Sequence, residues 1–252
     1  MIEYIIAGVA TFVFTTVLTI AGLGAAFILI PVLLALKVPL LTAMSIALLL
    51  NAISMALASI SYAREKLVVY KIAIPMIIAA TILSPLGAMT AEHLPKNILL
   101  WLFAGFLVFA GSMMLFYKPK QKEIDADVEQ SLPIGVATGS AAGFFGGLLG
   151  VGGGNFIVPV LVWGGLDPKK AAATTALVVV FSSFAGFLGH VSLGNMDYTL
   201  LGICVVGSIL GALLGAHLMK KTLSRSQVKA VIGLILFMVA AKIILDLLTA
   251  SG

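Results

Sequence analysis

Gly150-Val151-Gly152-Gly153-Gly154-Asn155 sets four glycines and one amide side chain in six residues, inside a run that is otherwise apolar. Glycine tolerates positive φ and leaves backbone N–H groups uncovered. Such groups at the start of a helix, where the dipole is positive, hold an anion without a full positive charge. Asn155 adds one donor and one acceptor. A degenerate copy, Gly22-Leu23-Gly24-Ala25-Ala26-Phe27, lies about 128 residues earlier, with Phe27 where the second copy has Asn155. Neutral polar groups follow each copy: Ser45, Asn51 and Ser54 after the first, Thr174, Thr175, Ser182 and Ser183 after the second. Ser45 aligns with Thr174 and Ser54 with Ser183 at a spacing of 129. The chemistry this set can do is reversible binding of an anion by backbone N–H, amide and hydroxyl groups. Its candidate residues are Gly22, Gly24, Ser45, Asn51, Gly150, Gly152, Gly153, Gly154, Asn155, Thr174, Thr175 and Ser183. The competing roles are structural: glycines let helices pack closely, and a single Ser or Thr in a membrane helix commonly bonds its own backbone.

Other chemistries lack their residues. A nucleotide loop of similar spelling needs a strand before it and a helix after it in a soluble α/β unit, whereas Phe144-Phe145 and Phe156-Ile157-Val158 flank this one. There is no paired acid, HExxH or Ser/His/Asp arrangement and no ATP-binding signature, so the chain reads as neither an enzyme nor a primary pump, with no metal and no cofactor. Cys204 is the single cysteine and cannot form an internal disulfide. No Asp or Glu falls in the middle of an apolar run, so the carboxylate relay of many proton-driven carriers is absent. His217 and His190, near the ends of apolar stretches, are the proton-coupling candidates, while His93 beside Glu92 and Pro95 reads as loop.

The elements that must position these residues are membrane helices. The 252 residues are 61% hydrophobic and 10% charged, with a mean hydropathy of +1.19, against roughly 25% charged in a soluble domain. Apolar stretches fall at about 4–36, 40–62, 70–91, 97–117, 133–164, 169–191, 197–219 and 226–249. Six have about the 20 residues of a single span. The first and fifth exceed thirty and carry the glycines at mid-run, followed by Pro31 or Pro159, which predicts two shorter helices meeting at a Gly-rich turn. The opening Met1-Ile2-Glu3-Tyr4 lacks the basic start of a signal peptide. The repeat continues through Pro39/Pro168, Tyr70/Tyr198, Gly87/Gly215 and Gly105/Gly233. It divides the chain into an N-terminal transmembrane repeat (1–117), a polar linker (118–132) and a C-terminal transmembrane repeat (133–252).

Charge decides between two topologies. If every stretch crosses once, the fifteen Lys and Arg divide eight against seven. If the first and fifth are hairpins that return to their entry side, the halves are inverted and the division becomes twelve against three, with only Lys37, Lys96 and Lys242 on the poorer side. The positive-inside rule selects the second. The expected fold is an all-α integral membrane protein of inverted repeats, each a Gly-broken hairpin plus three transmembrane helices. The linker is then cytoplasmic and both termini lie outside the cell membrane. The net charge of +5 is the ordinary surplus of cytoplasmic loops, so no nucleic-acid partner is implied.

With Gly-x-Gly-Gly-Gly-x-x-x-x-Pro in Gly150–Pro159 and its degenerate twin, on a membrane chain of this length, the sequence resembles the TauE/SafE sulfite exporter family, also called the toluene sulfonate uptake permease family. The resemblance implies transport of small sulfur-containing anions, such as sulfite, sulfonates or related organosulfur acids, with Gly152, Gly153, Gly154 and Asn155 matching the hallmark motif. The expected function is a secondary transporter working by alternating access, one half rocking against the other, with a proton or Na⁺ as coupling ion, lipid as surroundings and a homo-oligomer as a possible assembly. The alternative is a passive anion channel lined by the same half-helices.

Overall fold

The computed structural model describes residues 2–21, 26–116, 131–164, 166–190, 198–220 and 225–250. Described residues are almost entirely helical. The first half carries α1 (Ile2–Ala21), α2 (Ala26–Ala35), α3 (Leu40–Arg64), α4 (Tyr70–His93) and α5 (Lys96–Phe116). The second carries α6 (Ser131–Leu148), α7 (Gly154–Trp163), α8 (Pro168–His190), α9 (Tyr198–Lys220) and α10 (Arg225–Ala250). Among the described residues, α3, α4, α8 and parts of α5 and α9 are long and apolar enough to cross a membrane. On α4 the outward stripe Ile74, Ile78, Ile82, Leu86 and Met89 is at least half exposed. Spacings of four and then three along one face, all apolar and exposed, are what a lipid-facing surface requires.

The second overlong stretch breaks as its glycines predict, and in the first the predicted break falls on residues 22–25, outside those described. α6 ends at Leu148 and α7 begins at Gly154, and α1 ends at Ala21 before α2 opens at Ala26. Both α2 and α7 have ten residues, or about 15 Å of helix, half of a hydrocarbon core of roughly 30 Å. α2 is wrapped by protein: Phe27, Ile28, Leu29, Ile30 and Leu33 are all buried in the largest apolar cluster, with Met44, Ile46 and Leu50 of α3 and Phe103 and Leu107 of α5.

Glycines set the helix directions. Gly139, Gly143 and Gly147 of α6 lie in step against Met76, Ala80 and Ser84 of α4, so these helices run parallel. Gly207, Gly211 and Gly215 of α9 lie in the same manner against Gly8, Phe12 and Thr16 of α1. Each pair joins the first helix of one half to the fourth helix of the other. The third helices meet antiparallel, Asn51 of α3 opposite Ser183 of α8 and Leu48 opposite Gly186. Farther along, Met55, Ala58 and Tyr62 share a cluster with Ala173, Ala176 and Val179. α4 runs parallel to α8, with Ser84 beside Gly186 and Pro85 and Ala88 beside Gly189. Since α6, α4 and α8 share one direction, α7 must carry the chain back before α8 starts.

These contacts leave no room for side chains. A Cβ on Gly143 would stand 2.5 Å from the Ala80 carbonyl oxygen, whereas one on Gly105 of α5 would meet nothing within 4 Å. Gly143→Ala is expected to cost about 1–3 kcal/mol, the range for overpacking a fitted interface, and to lower the unfolding temperature of the detergent-solubilised protein. Gly105→Ala is expected to leave it unchanged or raise it, since Ala exceeds Gly in helix propensity by about 1 kcal/mol.

Candidate functional site

The turn between α6 and α7 is a run of left-handed glycines. Gly150 stands at φ +69°, Gly152 at +75° and Gly153 at +73°. Gly150 ends α6 in a Schellman arrangement: its N–H donates to Gly147 O at 3.2 Å, and that of Val151 to Gly146 O at 2.9 Å. The N–H of Gly152 also reaches Gly146 O, at 3.3 Å. Gly153 then opens α7, its carbonyl accepting from Phe156 at 3.0 Å with no side-chain cap. Among the described residues, nothing accepts from the N–H groups of Gly153, Gly154 or Asn155. The first turn of a helix always has such groups, but here they are buried.

Three helices hold the turn. A side chain on Gly150 would strike Met44 of α3, one on Gly152 would strike the Asn51 amide and the Ser183 hydroxyl, and one on Gly153 would strike the Ala142 carbonyl of α6. Positive φ and close approach therefore demand glycine at all three. Asn51, fully buried, donates from Nδ2 to Ser183 Oγ at 2.9 Å, and Ser182 Oγ donates to Gly152 O at 3.4 Å. Next to the turn, Phe156 of α7 packs on Phe106, Phe109 and Phe145, which closes that side with aromatic rings.

Polar atoms without partners gather in this region. Asn51 Oδ1 and both polar atoms of Asn155 are buried and make no hydrogen bond, and Asn155 is only 4% exposed. An unpaired buried amide costs about 1–3 kcal/mol, so the fold keeps these groups at the expense of stability. α6 and α7 carry no charged side chain at all. Among the described residues, no group of His, Cys, Asp and Glu is arranged to hold a metal.

The remaining candidates are distributed along the helices. Ser45 is buried with its hydroxyl unpartnered, six residues before Asn51, or about 9 Å along the helix axis. Thr175 is likewise buried and unpartnered, eight residues before Ser183, or about 12 Å away. Thr174 Oγ1 accepts from Val69 N at 3.0 Å, where α4 begins, so it ties the α3–α4 connection to α8. Gly22 and Gly24 lie outside the described residues. His190 is buried, its Nε2 2.9 Å from Gly147 O in the last turn of α6, and its Nδ1 has no partner. His217 is exposed on α9.

Sequence reasoning passed over Thr15, Thr19 and Ser84, which are also buried with unpartnered hydroxyls. For the threonines a signal existed: Thr11, Thr15 and Thr19 recur every four residues within an apolar run. Tyr62 was silent in the sequence, yet its hydroxyl crosses from α3 to donate to Thr19 O at 3.1 Å.

Gly152→Ala is expected to destabilise the protein twice, through backbone strain of about 1–3 kcal/mol and through collision with Asn51 and Ser183. Only the collision depends on Asn51. A double-mutant cycle on unfolding temperature with Asn51→Ala should show Gly152→Ala costing less in the shortened background, with a coupling of at least about 0.5 kcal/mol.

Comparison with known proteins agrees with this architecture. Residues 6–243 match the family model for the sulfite exporter TauE/SafE. The chain is 28% identical over 223 residues to the probable membrane transporter protein YdhB of Bacillus subtilis, covering 84% of this chain and 91% of the relative. It is 24% identical over 257 residues to the probable membrane transporter protein YunE of the same organism, covering 92% and 93%. A 77-residue segment is 40% identical to sulfite exporter TauE/SafE family protein 5 of Arabidopsis thaliana, covering 29% of this chain and 17% of that one. No solved structure matches it significantly. With nearly its whole length matched, this multi-pass membrane protein belongs to the sulfite exporter TauE/SafE family, a family of transporters and not of enzymes.

Proposed function

We propose that the chain is a secondary transporter that moves small sulfur-containing anions, such as sulfite, an organosulfonate or a related organosulfur acid, by alternating access. One observation carries this: the α6–α7 turn presents unpaired N–H groups at a helix start, with the unpartnered amide of Asn155 and the unpartnered Oδ1 of Asn51, in a buried setting without charge. The start of α7 contributes roughly half a positive charge, enough to attract an anion yet weak enough to release it. Gly150, Gly152, Gly153, Gly154, Asn155, Asn51 and Ser183 form the centre of the proposed site. Ser45 and Thr175 lie farther along α3 and α8 as stations on the path, and Thr174 holds the path's wall.

The halves are inverted repeats on this proposal, 1–117 and 133–252, joined by a cytoplasmic linker, with both termini outside the cell membrane. Supporting it, the third helices α3 and α8 run antiparallel while α4 runs parallel to α6 and α8, and the inverted topology alone gives the twelve-to-three division of basic residues. A proton or Na⁺ couples the movement, with His190 and His217 as the candidate proton carriers.

Proteoliposomes preloaded with sulfite, or with a sulfonate such as taurine or sulfoacetate, should take up the labelled compound in saturable counterflow. Stepwise single-channel currents without counterflow would instead identify a pore. Asn155→Leu is expected to cut exchange at least about tenfold in folded protein, the worth of one hydrogen bond to a charged group; unchanged exchange would remove Asn155 from the site. In a variant without Cys204, a cysteine at Lys71 should react with an impermeant maleimide only from the cytoplasmic side, and one at Lys96 only from outside.

A further inference from the structure

The polar groups around the turn fit one protonation state of the cargo better than the other. Donors are present: the N–H groups of Gly153, Gly154 and Asn155, and the Asn155 amide. An unengaged acceptor stands among them. An amide always carries one oxygen and one NH₂, so Asn155, with neither engaged, presents both, and Asn51 is held against Gly152 with Oδ1 unpaired. A bare oxyanion has only lone pairs to offer. It would satisfy the donors and leave these oxygens facing negative charge.

Charge leads to the same place. The Born cost of burying an ion grows with the square of its charge, so a dianion pays about four times the desolvation of a monoanion of equal size. Repayment would have to come from neutral groups and one half-helix dipole. α6 and α7 have no charged residue, α3 has Tyr62 and Arg64 at its end, α8 has Lys169 and Lys170 at its start and His190 at its end, and α4 has Tyr70 and Lys71 at its start and Glu92 and His93 at its end. α5, which meets α7 through Phe106 and Phe109, has Lys96 at its start, and α9, whose Ser208 bonds Leu50 O, has Tyr198 at its start, Cys204 one turn before that serine, and His217 and Lys220 toward its end. None of these lies within one helical turn of Asn51 or Ser183 along its own helix.

We infer that the cargo is a sulfur oxoanion that still carries one proton, such as hydrogen sulfite, and not a sulfonate, whose ionised head has no O–H; the cargo's O–H donates to an amide oxygen of the site, so that the coupled proton rides on the anion and not on a side chain. This deepens the transport proposal and rests on it. For sulfite, the species carried is hydrogen sulfite, which ionises on the far side to sulfite and one proton.

Two measurements test it in proteoliposomes at equal pH on both faces. In the first, counterflow of labelled sulfite is followed across the pH range of its last ionisation, for the native chain and for His190→Gln, which keeps a donor for Gly147 O. The rate should follow the hydrogen sulfite fraction, falling about tenfold per pH unit on the alkaline side, with the same profile in both proteins. In the second, methanesulfinate, a monoanion with a methyl group in place of the O–H, competes with labelled sulfite in the native chain. It should need at least about tenfold higher concentration than unlabelled hydrogen sulfite, because it leaves a buried acceptor unpaired. Exchange that persists when only the dianion is present, a profile that flattens in His190→Gln, or equal competition by methanesulfinate would each overturn the inference while leaving transport intact. A sulfonate exchanged as fast as hydrogen sulfite, or in its place, would also overturn the inference while leaving transport intact; if folded native protein exchanges neither at any pH, the transport proposal falls and this inference with it. If His190→Gln does not fold, the methanesulfinate comparison decides alone.

Discussion

A helix interrupted at mid-bilayer must have its loose backbone groups covered by protein, because hydrocarbon offers them nothing. That constraint organises this molecule. The α6–α7 turn exists only because α3, α6 and α8 close on it through Met44, Asn51, Ser183 and Ala142, at distances that admit hydrogen atoms alone. Part of the debt is met internally, Gly146 accepting two of the turn's N–H groups. The rest stays open at the start of α7. A fold that needed only to span the membrane would have continued the helix; this one breaks it and buries the break.

The neutrality of the break has a physical logic. A lysine at the same depth would bind an anion tightly and would itself be costly to bury in the empty state. Backbone dipoles, amides and hydroxyls impose less in either state. One buried ionisable side chain, His190, bonds the preceding turn of α6 through Gly147 O. Its place is that of a clamp between α6 and α8.

Much of this was legible before the structure. The glycines at 150–154 announced the break, and the lengths of the apolar runs announced the spans. Asn51 and Ser183 were both named from their type, but their meeting was not foreseeable, since they are 132 residues apart and only the antiparallel crossing of α3 and α8 joins them. Thr174 was chosen for its hydroxyl, which accepts from Val69 N at the start of α4. Hydroxyl chemistry is visible in a sequence; the direction in which a hydroxyl points is a product of packing. The glycines of α6 and of the turn after it carry two different meanings, Gly139 and Gly143 serving helix contact and Gly150, Gly152 and Gly153 serving the turn, and spacing alone cannot separate the two uses.

Two close helix pairings, α1 with α9 and α4 with α6, each join a helix that precedes residue 117 to one that follows residue 130. The two halves of the chain are therefore interlocked. A motion that keeps these glycine seams closed carries helices of both halves together. Where α3 and α8 cross, the contact combines the Asn51–Ser183 hydrogen bond, Leu48 against Gly186 and a shared apolar cluster. Interlocking, and not succession along the chain, decides which helices must move together.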